Sequence, residues 1–230
     1  MLVLGLDTSG PAVSVGLVEL EPGDPPHWGR EAIWQVVDGR AHGELLATGI
    51  AAVLAELAVV PADLGAVAVG LGPGPYTGLR VGVVTAAALA DALRIPAYGV
   101  VSLDAVAVQG DGAGRRLVVT DARRREVYWA EYDADDERVA GPAVLAPADL
   151  ERALVDTGWQ GALVGEGAHL HAGAFPGREV LAAPLHPTGD AVVLLAARRA
   201  LEGAPGEVLV PRYLRRPDAV PPGAAKPVTR

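Results

Sequence analysis

The spacing of apolar residues changes at His42, and that change constrains the fold more than any other feature of the chain. Ahead of it the chain reads as strands. Residues 2–6 form an apolar run that stops at the turn signal Asp7-Thr8-Ser9-Gly10. In residues 12–18, Val13, Val15 and Leu17 alternate with Ser14 and Gly16, which makes a hairpin with the first run. Residues 21–30 are rich in Pro and Gly and read as a connecting loop, with a third strand at residues 31–37. Past His42 the spacing is helical. Leu45, Leu46, Ile50, Val53, Leu54 and Leu57 share one face until Pro61 and Asp63 end it. Residues 66–70 then read as a strand and residues 77–93 as a second helix, stopped by Ile95-Pro96. A strand at 97–101 and a short helix at 102–108, capped by Ser102, complete this part. The order β-β-β-α-β-α-β predicts an α/β fold, a mixed sheet covered by helices at its parallel crossovers.

A Gly/Asp-rich break at residues 109–114 marks a boundary between lobes. Beyond it, Arg116–Asp121 and Val127–Tyr132 read as strands around a tight turn at 121–125. Pro147–Asp156 reads as a helix, 162–165 as a strand, and 190–201 as a strongly amphipathic helix. The chain divides into a first lobe at 1–108, a smaller second lobe at 109–215 and a Pro/Gly-rich tail at 216–230. No repeat period is evident.

Composition limits the chemistry. There is no Cys, and the only Lys is Lys226, in the last five residues. This excludes a disulfide framework, a thiolate nucleophile and Cys-ligated metals. It also argues against a phosphate-binding P-loop lysine or a buried Schiff-base lysine. A net charge of −9 argues against a broad nucleic-acid surface. The apolar helical stretches contain Glu56, Arg80 and Asp91, so no transmembrane span and no membrane partner are expected, nor is a secretory signal evident. A cytoplasmic protein is expected.

Four groups of residues could carry chemistry. Asp7, Thr8 and Ser9 could offer hydroxyls to a phosphate and a carboxylate to a hydrated divalent ion, or could simply make the turn. Residues 70–78 place Gly72, Gly74, Thr77 and Gly78 between a strand and a helix, which suits an anion or a tight strand-to-helix turn. The pattern is neither a Walker loop nor Gly-x-Gly-x-x-Gly, and Pro73 and Pro75 make it stiff. Among His27, His42, His169, His171 and His186 no metal spacing is strong; His169-x-His171, with Glu166 the one nearby carboxylate of suitable spacing, reads as a polar loop, and no metal site is expected. Arg123, Arg124 and Arg125 read as a solvated hairpin tip that could touch RNA phosphate or an acidic partner. Of the neighbouring Tyr128, Trp129 and Tyr132, at least one should fill the second core. No nucleophile elbow is present.

Together these segments resemble a known family. The blocks in order are Gly5-Leu6-Asp7-Thr8-Ser9, Ala41-His42-Gly43-Glu44-Leu45-Leu46 and Ala68-Val69-Gly70-Leu71-Gly72-Pro73-Gly74-Pro75-Tyr76-Thr77-Gly78-Leu79-Arg80-Val81-Gly82. Gly99-Val100-Val101-Ser102-Leu103-Asp104-Ala105, Asp121-Ala122-Arg123-Arg124-Arg125-Glu126-Val127-Tyr128 and Pro211-Arg212-Tyr213-Leu214-Arg215 follow. The pattern resembles the TsaB (YeaZ) family and covers the chain to about Arg215; Pro75 stands where a small Ser is more usual. The resemblance implies the actin/Hsp70/sugar-kinase fold, two ribonuclease-H-like lobes with the second reduced. It implies a place in tRNA threonylcarbamoyladenosine synthesis. There the catalytic relative TsaD transfers the threonylcarbamoyl group to the adenosine beside the anticodon, and the ATPase TsaE joins the complex.

In that catalytic relative, two histidines four apart follow Pro-Ala and hold the metal. Here Ser102 and Val106 stand at that spacing after Pro96-Ala97. The resemblance therefore implies a non-catalytic scaffold or activator with no cofactor of its own, with ATP or ADP and Mg at most shared at the complex interface. Partners implied are TsaD as a heterodimer, TsaE, and tRNA through the complex, with a homodimer as an alternative when the chain is alone. Two stripes could face the partner or the chain's own sheet: Leu46, Ile50, Val53 and Leu57 on the first helix, and Gly78, Gly82, Thr85, Ala86 and Ala90 on the second. The partner-facing assignment is the one taken forward. A stand-alone nucleotide-dependent transferase or kinase using Asp7 and the glycine loop is the competing function.

Overall fold

The computed structural model describes residues 1–39, 41–110 and 114–215 of the 230; the tail at 216–230 and part of the 109–114 break lie outside them. The first sheet holds β1 (Leu2–Asp7), β2 (Ala12–Glu21), β3 (His27–Val37), β4 (Leu64–Gly70) and β5 (Ala97–Val100) in the order β3-β2-β1-β4-β5. β1, β2 and β3 pair antiparallel, while β1, β4 and β5 pair parallel. The helices α1 (His42–Glu56) and α2 (Tyr76–Leu93) supply the crossovers. β3 begins four residues before the expected strand, because His27 and Trp28 pair with Glu21 and Leu20 beyond an irregularity in β2. At the sheet edge that extension needs partners on one side only.

β1 reads as a continuous apolar run because both faces of the sheet are covered. Leu4 and Leu6 point toward α1 and α2 with Val15, Leu17, Val67 and Val69. Val3 points the other way with Val18, Ala66, Ala68 and Tyr98. What covers that second face comes from the far end of the chain. α6 (Gly189–Leu201) lays Val192, Val193, Ala196 and Ala197 on it. A Cβ on Gly189 would run into the backbone of Gly16, so the helix N-terminus sits directly on the sheet backbone.

The second sheet holds β6 (Arg116–Asp121), β7 (Val127–Tyr132), β8 (Arg138–Leu145) and β9 (Ala162–Val164) in the order β8-β7-β6-β9. This is the first sheet's order without its last strand, with α4 (Pro147–Asp156) as the crossover. A lone parallel bridge between Leu163 and Val180 marks where the fifth strand would run. The two lobes thus repeat a topology although the sequence repeats no period. Of the aromatic residues in β7, Tyr128 and Tyr132 fill the core and Trp129 packs from the other face. α3 (Ser102–Ala107) lies against that core: Leu103, Val106 and Ala107 pack with Val118, Ala130 and Tyr132.

Each lobe therefore gives a helix to the other's sheet. The expected boundary near 108 separates the two sheets. It does not separate two packing units, because α3 serves the second sheet and α6, expected within the second lobe, serves the first. Among the described residues no helix is long and apolar enough to cross a membrane.

Candidate functional site

The strand ends converge where β1 and β4 open. Asp7 is the last residue of β1 and is only 1% exposed. Its Oδ1 accepts hydrogen bonds from the Ser9 N–H (2.8 Å) and the Ser9 hydroxyl (2.7 Å). Its Oδ2 accepts one from the Ser102 hydroxyl (2.6 Å) at the start of α3. Burial raises the Asp7 pKa, and the bonds from Ser102 and Ser9 oppose that rise.

Ser102 in turn ties down the glycine loop. Its Oγ accepts from the Gly72 N–H (3.1 Å), and its own N–H donates to the Gly72 carbonyl (2.9 Å). Gly72 takes a left-handed φ of 88°, which disfavours any residue with a Cβ. A Cβ on Gly74 would run into the Ser9 carbonyl, and one on Gly78 would lie 3.1 Å from the Thr8 carbonyl oxygen. The Thr8 hydroxyl donates to the Gly78 carbonyl (2.8 Å) and accepts from the Gly82 N–H (3.0 Å). His42 Nε2 lies 2.9 Å from the Gly10 carbonyl oxygen.

The structure thus brings Asp7, Thr8, Ser9, Gly72, Gly74 and Gly78 together, while Thr77 is exposed on α2. The glycines let the loop sit on the Asp7 turn, backbone against backbone. The polar groups expected to meet a phosphate are engaged with one another, so the arrangement is a pin between β1, α2 and α3.

The structure assembles a second cluster whose grouping the sequence does not show. In the cleft between the lobes, Glu166 begins α5 (Glu166–Leu170) after Gly165 and stands 3.8 Å from His186. Burial and the charge of Asp121 push the Glu166 pKa up to about 7. Burial lowers that of His186. These groups are 45 and 20 residues apart, so no local spacing joins them. The cavity they border, with Ser9, Pro73 and Ser102, is about 10 Å³. His169 lies within α5, with Nε2 2.8 Å from the Leu181 carbonyl oxygen, and His171 lies 3.6 Å from Asp121. Among the described residues no group of three or more His, Asp or Glu could hold a metal.

Comparison with known proteins fits this geometry. A family described as "TsaD: tRNA N6-adenosine threonylcarbamoyltransferase" matches residues 36–176. An uncharacterized Mycobacterium tuberculosis protein is 48% identical over 219 residues, covering 95% of this chain and 94% of the relative. The "tRNA threonylcarbamoyladenosine biosynthesis protein TsaB" of Escherichia coli is 32% identical over 179 residues, covering 70% of this chain and 73% of its own length. The structure of YeaZ from Pseudomonas aeruginosa superposes with a TM-score of 0.74 at 31% identity, covering 93% of this chain and 99% of that one. The chain belongs to the TsaB (YeaZ) family. Its fold is the ribonuclease-H-like one expected for TsaB proteins.

Two expectations drawn from the TsaB pattern meet the coordinates differently. Ser102 and Val106 do share the helix α3, but neither side chain faces open space. Ser102 is held by Asp7 and Gly72, and Val106 is fully buried against the second sheet. The partner-facing stripes require correction. Leu46, Val53, Gly78, Gly82, Ala86 and Ala90 are buried within the first lobe, and Ile50, Leu57 and Thr85 are half-buried. Leu46, Ile50, Val53, Leu57 and Ala86 pack into the chain's own first core, and Gly78 and Gly82 lie against Thr8, which seats both helices on the sheet. The outer faces are made of other residues: Ala47, Thr48, Ala51 and Ala55 on α1, and Val84, Ala87 and Ala88 on α2.

Arg123, Arg124 and Arg125 stand at the β6–β7 hairpin tip and are exposed. All three have left-handed backbones, with φ of 59°, 54° and 62°. The Glu126 N–H donates to the Arg123 carbonyl (3.0 Å) and closes the turn. Arg215 donates to the carbonyls of Ala122 (2.9 Å) and Arg123 (3.3 Å) and pairs with Glu126.

Proposed function

We propose that this TsaB-family chain is a non-catalytic scaffold or activator subunit in tRNA threonylcarbamoyladenosine synthesis. It pairs with TsaD, which transfers the threonylcarbamoyl group, and TsaE joins them in the cytoplasm. The observation that carries this reading is the state of α3. At the two positions where the catalytic relative holds its metal, Ser102 pins the glycine loop and Val106 is core. A hydroxyl engaged with a carboxylate and a buried isopropyl group offer no ligand pair.

The Asp7 turn gives no support to a nucleotide site of its own. The cavity bordered by Ser9, Ser102 and Glu166, about 10 Å³, has roughly the room of one water, and Asp7 is already satisfied. Any ATP or ADP with Mg²⁺ used by the complex belongs at the subunit interface. The competing transferase or kinase reading needs that cleft open.

The outer faces of α1 and α2 suit a partner. Ala47, Ala51, Ala55, Ala87 and Ala88 are small, so a partner helix can approach closely. The same face would pair two copies of this chain in the absence of TsaD. Reconstitution of tRNA modification with TsaD and TsaE, with and without this chain, tests the proposal. The expected result is modification only when the chain is present, with no tRNA modification by the chain alone. Full activity in its absence would overturn it, and calorimetric ATP–Mg²⁺ binding by the isolated chain, lost in Asp7→Ala, would favour the enzyme reading.

A further inference from the structure

We propose that the outer face of α2 and the extended segment at residues 204–213 form one docking surface for an amphipathic partner helix, with a carboxylate of that helix on Arg80. After α6 the chain turns back along β5, the edge strand of the first sheet. The Tyr98 hydroxyl donates to the Ala204 carbonyl (2.6 Å), the Glu207 N–H to the Ala97 carbonyl (2.9 Å) and the Arg212 N–H to the Leu71 carbonyl (2.7 Å). The segment meets α2 at both ends. Near the helix C-terminus, residues 205–209 share a cavity of about 950 Å³ with Ala87, Asp91 and Arg94. At the N-terminus Tyr213 stacks on Tyr76, with ring centres 4.9 Å apart. Leu209 and Tyr213 pack inward on the first core, whereas Val208 and Val210 are 89% and 62% exposed. Val84, on the outer face of α2, is 63% exposed. These three valines give the surface the apolar centre that protein interfaces have.

The charges define the occupant. Tyr76, Arg80, Val84, Ala88 and Asp91 form one exposed stripe along α2. The Arg80 guanidinium carbon lies 3.7 Å from the centre of the Tyr76 ring, and its Nε donates to the Tyr213 hydroxyl (2.8 Å). Its two Nη groups meet no hydrogen-bond or ion-pair partner among the described residues, and neither does the Asp91 carboxylate. The two tyrosines fix the guanidinium in advance, so little side-chain freedom is lost when a carboxylate takes the Nη edge. Tyr and Arg are the residue types that most often anchor an interface. Ala87 and Ala88 let a helix backbone come close. Arg80 and Asp91 are eleven residues apart, which is three helical turns or about 16 Å. A partner helix with an acidic and a basic residue at that separation complements both charges, and the pair fixes its direction. A nucleic-acid backbone would be repelled by Asp91 and would leave the valines uncovered.

The inference rests on the function proposed above in taking TsaD as the partner. The test measures TsaD binding to the full chain by biolayer interferometry at low and high salt. Arg80→Gln removes the charge at an exposed site. It should weaken binding about 10-fold at low salt and less at high salt, where the ion pair is screened. Val208→Asp with Val210→Asp should weaken binding about 10-fold or more. Both valines are exposed, so the melting temperature of the free chain should not move. Full affinity for TsaD in either variant would overturn the inference. So would a loss in Arg80→Gln that is equal at every salt concentration. Loss of self-association without loss of TsaD binding would give the surface to a second copy of the chain and overturn it as well. TsaD binding that fails in Ala88→Arg but survives both of these variants confines the partner to the helices; it defeats this inference and leaves the proposed function standing. A wild-type chain with no affinity for TsaD defeats both.

Discussion

Asp7 shows how one residue can be conspicuous in the sequence and still carry a different role in the fold. A carboxylate at a strand end before Thr-Ser-Gly invites a phosphate or metal reading. Its three donors, Ser9 twice and Ser102 once, leave it a buried anchor. Ser102→Ala strands Asp7 Oδ2 and the Gly72 N–H together, so it should cost about 1–3 kcal/mol. Urea denaturation would read this directly, and a change near zero would mean that water replaces the hydroxyl. Glu166 is the opposite case: the sequence sets it beside His169 and His171, while its neighbours in the fold, Asp121 and His186, are distant along the chain. Its raised pKa means that the folded state favours the protonated form. That contribution to stability is whole below the ordinary carboxylate pKa and is lost as pH rises through about 7. Glu166→Gln should therefore stabilise the protein at pH 8, by about 1–2 kcal/mol after allowance for solvent screening, and do little at pH 4.5. Melting curves at the two values check the sign; an equal effect at both would leave the charge irrelevant.

At the level of elements, periodicity located most helices and strands, and it failed where an element breaks its own period. β8 was missed because Gly141 and Pro142 interrupt it, which an edge strand tolerates. The helix stripes were visible, but periodicity does not say what a stripe faces. Two positions on α2, two residues apart, separate the two answers. Ala86 is 0% exposed against the sheet, whereas Ala88 is on the outside. Ala86→Arg buries a charge without a partner and should prevent folding or cost several kcal/mol. Ala88→Arg should leave the circular dichroism spectrum and melting temperature nearly unchanged while weakening co-purification with TsaD. Loss of folding in both would place Ala88 in the core, and full TsaD binding by Ala88→Arg would move the partner face elsewhere. α6 makes a similar point about close approach. A methyl group at Gly189 meets the Gly16 backbone, so Gly189→Ala should lift the helix and cost about 1–3 kcal/mol or more.

Across the whole molecule, the exchange of α3 and α6 decides how the lobes behave. Neither sheet is covered on both faces by its own lobe. Nothing local in the sequence announced the place of α6, since the strands it covers lie roughly 90 residues or more away and the lobes repeat topology without repeating residues, whereas α3 packs on the sheet that directly follows it. The energetic consequence is large. Removing α6 exposes Val192, Val193 and the sheet residues beneath them, and each buried Val is worth roughly 1.5 kcal/mol or more. Losses over the whole helix approach the net stability of a domain, about 5–15 kcal/mol. The lobes should then unfold as one unit. Trp34 packs on the first core and Trp159 is buried in the second, so single-tryptophan variants report each lobe separately. Their fluorescence transitions in urea should coincide. A fragment of residues 1–110, with its sheet uncovered, should be unfolded or aggregated by itself, and co-expression with 111–230 should restore a soluble pair. Two separated transitions, or a well-folded 1–110 fragment, would show that the exchanged helices are ornaments on lobes that stand alone. Coincident transitions would instead make the chain a rigid platform, with the outer faces of α1 and α2 held in fixed relation to the second lobe. The proposed pairing of those faces with a partner helix needs that fixed relation.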